Sequence, residues 1–299
     1  MKMTQINEHC YYSQSSVNVG YVHEGDQGLL IDAGIDASAI RKVVRQLDEQ
    51  GLPVTHLFIT HAHADHFGGA SYLHKHYNVK IIAPPLEASI MQHPILEPMY
   101  LFQGTTPPDE IRNKFLEGPP IDVDLIVDEG RHTIDGIELD CILTPGHSYH
   151  QLAVATHDVL FAADSYFGEK ELHKHKIPFL TCAHDTIHSL EKLKTTNYSG
   201  AIPGHGKFEE DYHDTLEANI AYHRSVLKAL YEMVRISPHG LSLEDVVSYM
   251  CARFNVNAEQ LSQYLLFRTA VGGYVKALMD DGDLHCEIEN YRIMVKASS

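Results

Sequence analysis

Thr60-His61-Ala62-His63-Ala64-Asp65-His66 packs four side chains able to bind a metal into seven residues. Imidazole nitrogen together with carboxylate oxygen suits zinc, and also iron or manganese. Four ligands this close cannot all take one ion tetrahedrally and still leave a position open for water. A second ion, with further ligands from later in the chain, resolves that crowding. The apolar run Val54-Thr55-His56-Leu57-Phe58-Ile59 before the cluster reads as a buried strand, and Phe67-Gly68-Gly69-Ala70 after it as a helix entry. The four side chains are therefore expected on a loop at the mouth of a strand-to-helix connection.

Three later residues of the same kinds also follow strand-like runs. Residues 137–143 run into Thr144-Pro145-Gly146-His147, residues 159–163 into Asp164, and Gly200-Ala201-Ile202 into Pro203-Gly204-His205-Gly206. A strand end is where a rigid scaffold presents a ligand at a fixed place. Residues 151–156 and 159–163 read as a hairpin turning at His157-Asp158. In the N-terminal part, strands are expected over 17–22 and 28–32 around a turn at Glu24-Gly25-Asp26. A helix is expected over 37–50, with Ile40, Val43, Val44 and Leu47 on one face, Asp36 as N-cap and Gly51 as stop. A helix through Ala70, Leu73 and Tyr77 and a strand over 79–82 follow the metal loop. That alternation implies a layered α/β domain.

Between residues 84 and 120 eight prolines crowd a segment that also carries Met91, Met99, Tyr100, Phe102 and Phe115. It reads as a long irregular insertion serving as a lid or binding loop. Its aromatic and methionine side chains would line an apolar pocket, anchor the insertion, or form an oligomer contact. After His205 helices are expected over 212–235, 243–253 and 261–279, followed by a hairpin of 284–288 with 291–295. Helices followed by a β-hairpin look like a winged helix. The expected division is 1–211 for the catalytic domain and 212–299 for this C-terminal module.

His61-Ala62-His63-Ala64-Asp65-His66 resembles the HxHxDH signature of the metallo-β-lactamase-fold hydrolases. Pro145-Gly146-His147, Asp164 and His205 fall in the order that family shows. The resemblance implies an αββα sandwich, with His61, His63 and His147 on one metal and Asp65, His66 and His205 on the other. Asp164 would bridge two zinc ions. It further implies that Asp32 lies beneath the metals and orients a ligand histidine. Some relatives carry a similar C-terminal module, endoribonucleases among them.

Charge bounds the partners. A formal net charge of −17 opposes a polyanion, and the proposed recognition helix offers only Arg268 and Lys276 against Asp280 and Asp281. Nucleic acid is therefore not the expected partner, and the module is expected to serve packing or homodimerisation. The five cysteines are scattered and never form a CxxC pair, which suits free thiols in a reducing compartment. No stretch is long and apolar enough to span a membrane, and the N-terminus lacks the apolar core of a signal peptide. A cytoplasmic protein acting on a small molecule is expected.

The chemistry implied is hydrolysis by a bridging hydroxide whose pKa two metals lower. Asp65 is the residue expected to orient it and accept its proton. Tyr166 and His150 are the candidates to face the substrate pocket and protonate a leaving group. His173 and His175 repeat an HxH spacing, but the neighbouring lysines suggest a solvated charged loop. A thioester or lactone is the expected substrate. Two alternatives are a phosphodiesterase or endoribonuclease, and a winged-helix regulator whose metal site senses a ligand.

Overall fold

Alternating apolar residues in the first half of the chain build a seven-stranded sheet in the computed structural model, which describes residues 2–298. The strands β1 (Met3–Gln5), β2 (Cys10–Ser13), β3 (Val19–Glu24) and β4 (Gln27–Ile31) form an antiparallel meander. The helix α1 (Ala37–Glu49) crosses to β5 (His56–Phe58), and α2 (Ala64–Phe67) with α3 (Ala70–Tyr77) to β6 (Lys80–Ala83), both parallel additions. Asp36 starts α1 by accepting from the Ser38 and Ala39 amides at 2.9 and 3.0 Å. After α4 (Pro85–Gln92) and α5 (Leu96–Leu101), β7 (Leu125–Ile126) closes the sheet's far edge.

The second sheet has five strands. The strands β8 (Gly130–Ile134), β9 (Ile137–Leu143), β10 (Leu152–Thr156) and β11 (Val159–Ala163) run antiparallel. Next come α6 (Glu169–His175) and α7 (Ala183–Lys194), and β12 (Gly200–Pro203) then adds parallel to β11. Period two sorts the side chains of both sheets. Leu29, Ile31, Phe58 and Ile82 meet Leu139, Cys141, Val154 and Phe161 between the sheets. Leu30, Leu57 and Ile81 point the other way, onto Ile40, Val43 and Leu47 of α1. On the opposite side, Ile142, Ala153 and Leu160 pack against Leu190 and Leu193 of α7 and against Leu216 and Ile220 of α8 (His213–Arg235). The layers run αββα. Each leucine or isoleucine fully buried this way contributes roughly 1.5–3 kcal/mol.

Residues 84–120 are more regular than their proline content suggests. They hold α4, α5 and a single 3₁₀ turn at Asp109–Ile111. Pro85 and Pro98 fall in the first turns of α4 and α5, where the amide that proline lacks has no intrahelical partner anyway. Residues 171–175 are likewise helical, in α6, with Leu172 buried beneath them.

Beyond α8 the chain forms β13 (Leu241–Ser242), α9 (Leu243–Arg253), α10 (Leu261–Asp280), β14 (Leu284–Glu289) and β15 (Arg292–Ala297). The three strands lie in the order β13-β15-β14, and the helices close over them through Val226, Leu230, Val247, Val271 and Leu284. The helix α8 is shared: Leu216 and Ile220 complete the outer layer of the sandwich, while Val226, Leu230 and Val234 belong to the C-terminal core. The insertion rests on the same module, with Leu101, Ile111 and Leu116 packed on Leu265 of α10. No helix among the described residues is long and apolar enough to cross a membrane.

One buried histidine couples this module to pH. His223 of α8 is 2 % exposed, and its Nδ1 lies 2.7 Å from the Tyr274 hydroxyl on α10. Burial, assisted by His147, lowers its pKa to about 4. The unfolded value is about 6.5, so between the two the unfolded chain binds more protons. Stability contributed here is complete above about pH 6.5 and falls toward pH 4, by on the order of 3 kcal/mol. His223→Gln should therefore narrow the gap between urea midpoints measured near neutral pH and at about pH 5. An unchanged gap would exclude His223 as the group responsible.

Candidate metal centre

Five strand ends converge here. Asp32 follows β4, Thr60 follows β5, His147 comes shortly after β9, Asp164 caps β11 and Gly204 follows β12. Asp32 sits at φ 63°, a left-handed conformation that costs a non-glycine residue about 1 kcal/mol or more. Its carboxylate accepts from the Thr60 amide at 2.9 Å and from the Thr60 hydroxyl. It also lies 2.8 Å from His66 Nδ1. The loop 60–66 is thereby tied to the end of β4.

The seven side chains singled out as ligands come together. His63 Nδ1 lies 3.1 Å from His61 Nε2 and 2.9 Å from His147 Nε2. Asp164 Oδ2 is 3.3 Å from both His147 Nε2 and His205 Nε2, and Asp164 Oδ1 is 3.4 Å from His66 Nε2. His205 Nε2 stands 3.7 Å from Asp65 Oδ2. The groups His61/His63/His147 and Asp65/His66/His205 each gather three donor atoms within 4.8 Å, and Asp164 reaches both. Separations of about 3.3–3.4 Å match the edge of a tetrahedron with metal bonds near 2.1 Å.

The nitrogen facing away from each cluster is occupied as well. His147 Nδ1 is 3.1 Å from the Phe179 carbonyl, His205 Nδ1 2.6 Å from the Ser16 carbonyl, and His61 Nδ1 3.1 Å from the Thr60 hydroxyl. A carbonyl oxygen can only accept, so His147 and His205 carry their proton on Nδ1 and turn Nε2 inward. Two of the inward atoms, His66 Nε2 and Asp164 Oδ1, are fully buried with no hydrogen-bond partner. Orphaned buried donors of these types, in this arrangement, fit a pair of divalent ions.

Electrostatics split the site. Burial, with the neighbouring imidazoles adding to it, holds His61 well below the usual imidazole range. Burial also lowers His63 to about 4 and His147 to about 3, against the opposing pull of nearby carboxylates. These three are neutral at neutral pH, as ligation requires. Burial alone would lower His205 too, but Asp164 and Asp65 outweigh it and lift it to about 9. For His66 the balance tips the same way, through Asp164 and Asp32. Burial would raise Asp164, yet His205, His66 and His147 hold it well below the carboxylate range.

Backbone geometry at Asp164 is exacting. Ala163 before it adopts φ 48°, and Gly204 packs so closely that an added Cβ would collide with Asp164 Oδ1.

Neither pocket candidate faces the centre, which corrects the expectation for both. Tyr166 is 1 % exposed and packs with Leu190, Tyr212 and Leu216 in the outer helical layer, where the apolar slot between α7 and α8 takes its ring. His150 turns its Nε2 to Asp128 at the surface, 3.0 Å away. Groups that the sequence does not mark surround the site instead. Phe179 lies 5.4 and 5.6 Å from His63 and His147, and Phe167 5.7 Å from His205, between ring centroids. The His175 ring lies 4.8 Å from Phe167, tilted, and 6.0 Å from His205, edge-on, so the expectation of a solvated loop does not hold for it.

Glu87 of α4 is another such group, and it joins two ligand loops. Its buried carboxylate accepts from the Ala62 amide at 2.8 Å, the His150 amide at 3.0 Å and the Ser148 hydroxyl. No local motif marks it, because its three partners come from two distant loops. Glu87→Ala would leave those buried donors unsatisfied, at roughly 1–3 kcal/mol each. With zinc as a divalent probe, we expect the variant to bind at least about tenfold more weakly, with Glu87→Gln intermediate because one amide oxygen still accepts. Equal zinc affinity of Glu87→Ala and wild type in a chelator competition would refute this. Zinc uptake should also release protons from His205 and His66 and strengthen as pH rises toward about 9, which calorimetry in buffers of different ionisation enthalpy measures.

Comparison with known proteins gives this arrangement a family. A metallo-beta-lactamase family protein of Thermus thermophilus superposes with a TM-score of 0.72 at 18% identity, covering 94% of each chain. A beta-lactamase domain protein of Burkholderia ambifaria gives 0.71 at 19%, over 99% of this chain and 94% of that one. Among curated relatives, a hydroxyacylglutathione hydrolase of Rhodopseudomonas palustris (strain BisB5) is 28% identical over 156 residues, 50% of this chain and 49% of the relative. The chain thus spans about half the length of the first curated relatives it matches. The model of the Metallo-beta-lactamase superfamily matches residues 13–224, so the chain belongs to that superfamily.

Proposed function

We propose that the chain is a dinuclear zinc hydrolase that cleaves a small ester-like bond, a thioester or a lactone. The observation that carries this reading is the convergence of seven donors in which His66 Nε2 and Asp164 Oδ1, 3.4 Å apart, are fully buried and make no hydrogen bond. His61, His63 and His147 would hold one ion, Asp65, His66 and His205 the other, and Asp164 both. Ions held there supply Lewis acidity and a water of lowered pKa.

The chain's own residues do the rest. The Asp65 side chain is 34 % exposed while that of Asp164 is 4 % exposed, so Asp65 is the carboxylate open to solvent. It is the group assigned to take a proton from the attacking water. Asp32 fixes the His66 ring, and Glu87 holds the loops at Ala62 and His150 in register. The rings of Phe167 and Phe179 wall the ligand histidines and exclude water beside them. An aromatic wall and a net charge of −17 suit a small acyl group better than a polyanion. The hydroxyacylglutathione hydrolase name of the relatives supports the thioester form of the proposal. All five thiols are free, which fits a reducing compartment such as the cytoplasm.

Zinc-loaded protein tested on thioesters, lactones, phosphodiesters and RNA, with metal content measured alongside, decides the reading. Turnover is expected on a thioester or lactone, lost on chelation and restored by zinc. Asp65→Ala should lower kcat/KM at least about hundredfold. RNA cleavage without turnover of any thioester or lactone would overturn the assignment in favour of a nuclease.

A further inference from the structure

A second group of metal-binding side chains stands at the other end of the sandwich. His157 precedes β11 and Asp164 follows it, so the length of that strand, roughly 17 Å, lies between them. Beside His157 are Glu24, the last residue of β3, and His9, just before β2. Glu24 Oε2 lies 3.4 Å from His9 Nδ1 and 3.5 Å from His157 Nε2, and the three side chains offer donor atoms within 4.8 Å of one another. Histidines that only pair with a carboxylate come closer: His56 to Asp135 and His66 Nδ1 to Asp32 at 2.8 Å, His150 to Asp128 and His184 to Asp281 at 3.0 Å. Two other pairs are as wide, His213–Asp211 at 3.6 Å and His285–Glu287 at 3.4 Å. Each joins residues two apart in sequence, and among the described residues neither gathers a third donor. The spacing at Glu24 is instead close to the 3.3–3.4 Å found around Asp164.

One asparagine fixes both histidines. Asn7 Nδ2 donates to the His157 carbonyl at 2.9 Å, and Asn7 Oδ1 accepts from the His9 and Cys10 amides at 3.0 and 2.8 Å. The His9 and His157 rings stack 4.0 Å apart beside the same carboxylate oxygen. We propose that His9, Glu24 and His157 bind a divalent transition-metal ion of the zinc class, distinct from the centre around Asp164. Two imidazoles and a carboxylate are the donors zinc takes when water fills its fourth position. To aim its nitrogen at a shared ion each ring turns about χ2, a broad torsion in histidine. His9 then gives up the 3.0 Å contact of Nδ1 with the His23 carbonyl and carries its proton on Nε2. Side chains between 25 and 45 % exposed leave room for that turn and for the water. Glu24 ends a strand of the first sheet and His157 joins two strands of the second, so the ion clasps the sheets together at the end opposite Asp164.

Calorimetric titration of metal-free full-length protein with zinc counts the ions taken up. Wild type should bind one ion more than His9→Gln, and one more than His157→Asn. Asparagine suits the φ of 45° at position 157, so that variant keeps the turn. His285→Gln removes an exposed histidine that has a carboxylate neighbour but no third donor, and should bind as many ions as wild type. Circular dichroism establishes that each variant is folded. Equal counts in wild type and both site variants overturn the proposal. Loss of an ion in only one of the two, or in His285→Gln as well, also overturns it. Only the difference between variants is read, so the number of ions held around Asp164 does not enter, and failure here leaves the hydrolase reading untouched.

Discussion

A carboxylate surrounded by three imidazoles sets the terms for this molecule. Asp164 is almost wholly buried, with nitrogens of His66, His147 and His205 at 3.3–3.4 Å. Removing such a charge from water costs several kcal/mol unless partners are held rigidly around it. The partners come from three separate stretches of chain, so their positions must be imposed by the fold. Parallel pairing of β11 with β12 brings His205 alongside Asp164, and parallel pairing of β4 with β5 brings His66 over Asp32. The left-handed residues Asp32 and Ala163, and a glycine at 204, are local strains and gaps accepted at that junction.

Much of this arrangement was legible in the chain, for a physical reason. Ligand residues at strand ends leave a local trace, because a short apolar run followed by His or Asp is visible without knowing what it faces. The helix α1 was legible through Ile40, Val43, Val44 and Leu47 and the cap at Asp36. Proline density misled over residues 84–120, since a proline in a first turn starts a helix as readily as a proline elsewhere breaks one. Tyr166 and His150 show a different limit. Proximity in sequence to a ligand says nothing about which layer a side chain enters, and one residue of twist sends it to the far side. Glu87 and Phe179 could not be read at all, because their meaning lies wholly in partners from remote segments.

The insertion and the C-terminal module belong to one mechanical unit. Leu101, Ile111 and Leu116 seat the insertion on Leu265, while Ile177, Leu180 and Ala183, on the path between Asp164 and His205, enter the module's own core. The insertion is thus braced from outside the sandwich. A site whose residues sit at strand ends gains its remaining walls from elements added around it.

The unbroken run of α8 has a consequence for how such a protein is built and dismantled. Its first turns roof one sheet and its last turns belong to another core, with no flexible joint between them. A protease or a gene truncation acting near that point would not detach a spare part. It would strip the outer layer from the sandwich and leave Leu160 and Leu190 facing water. A cut there therefore removes core side chains from both halves at once.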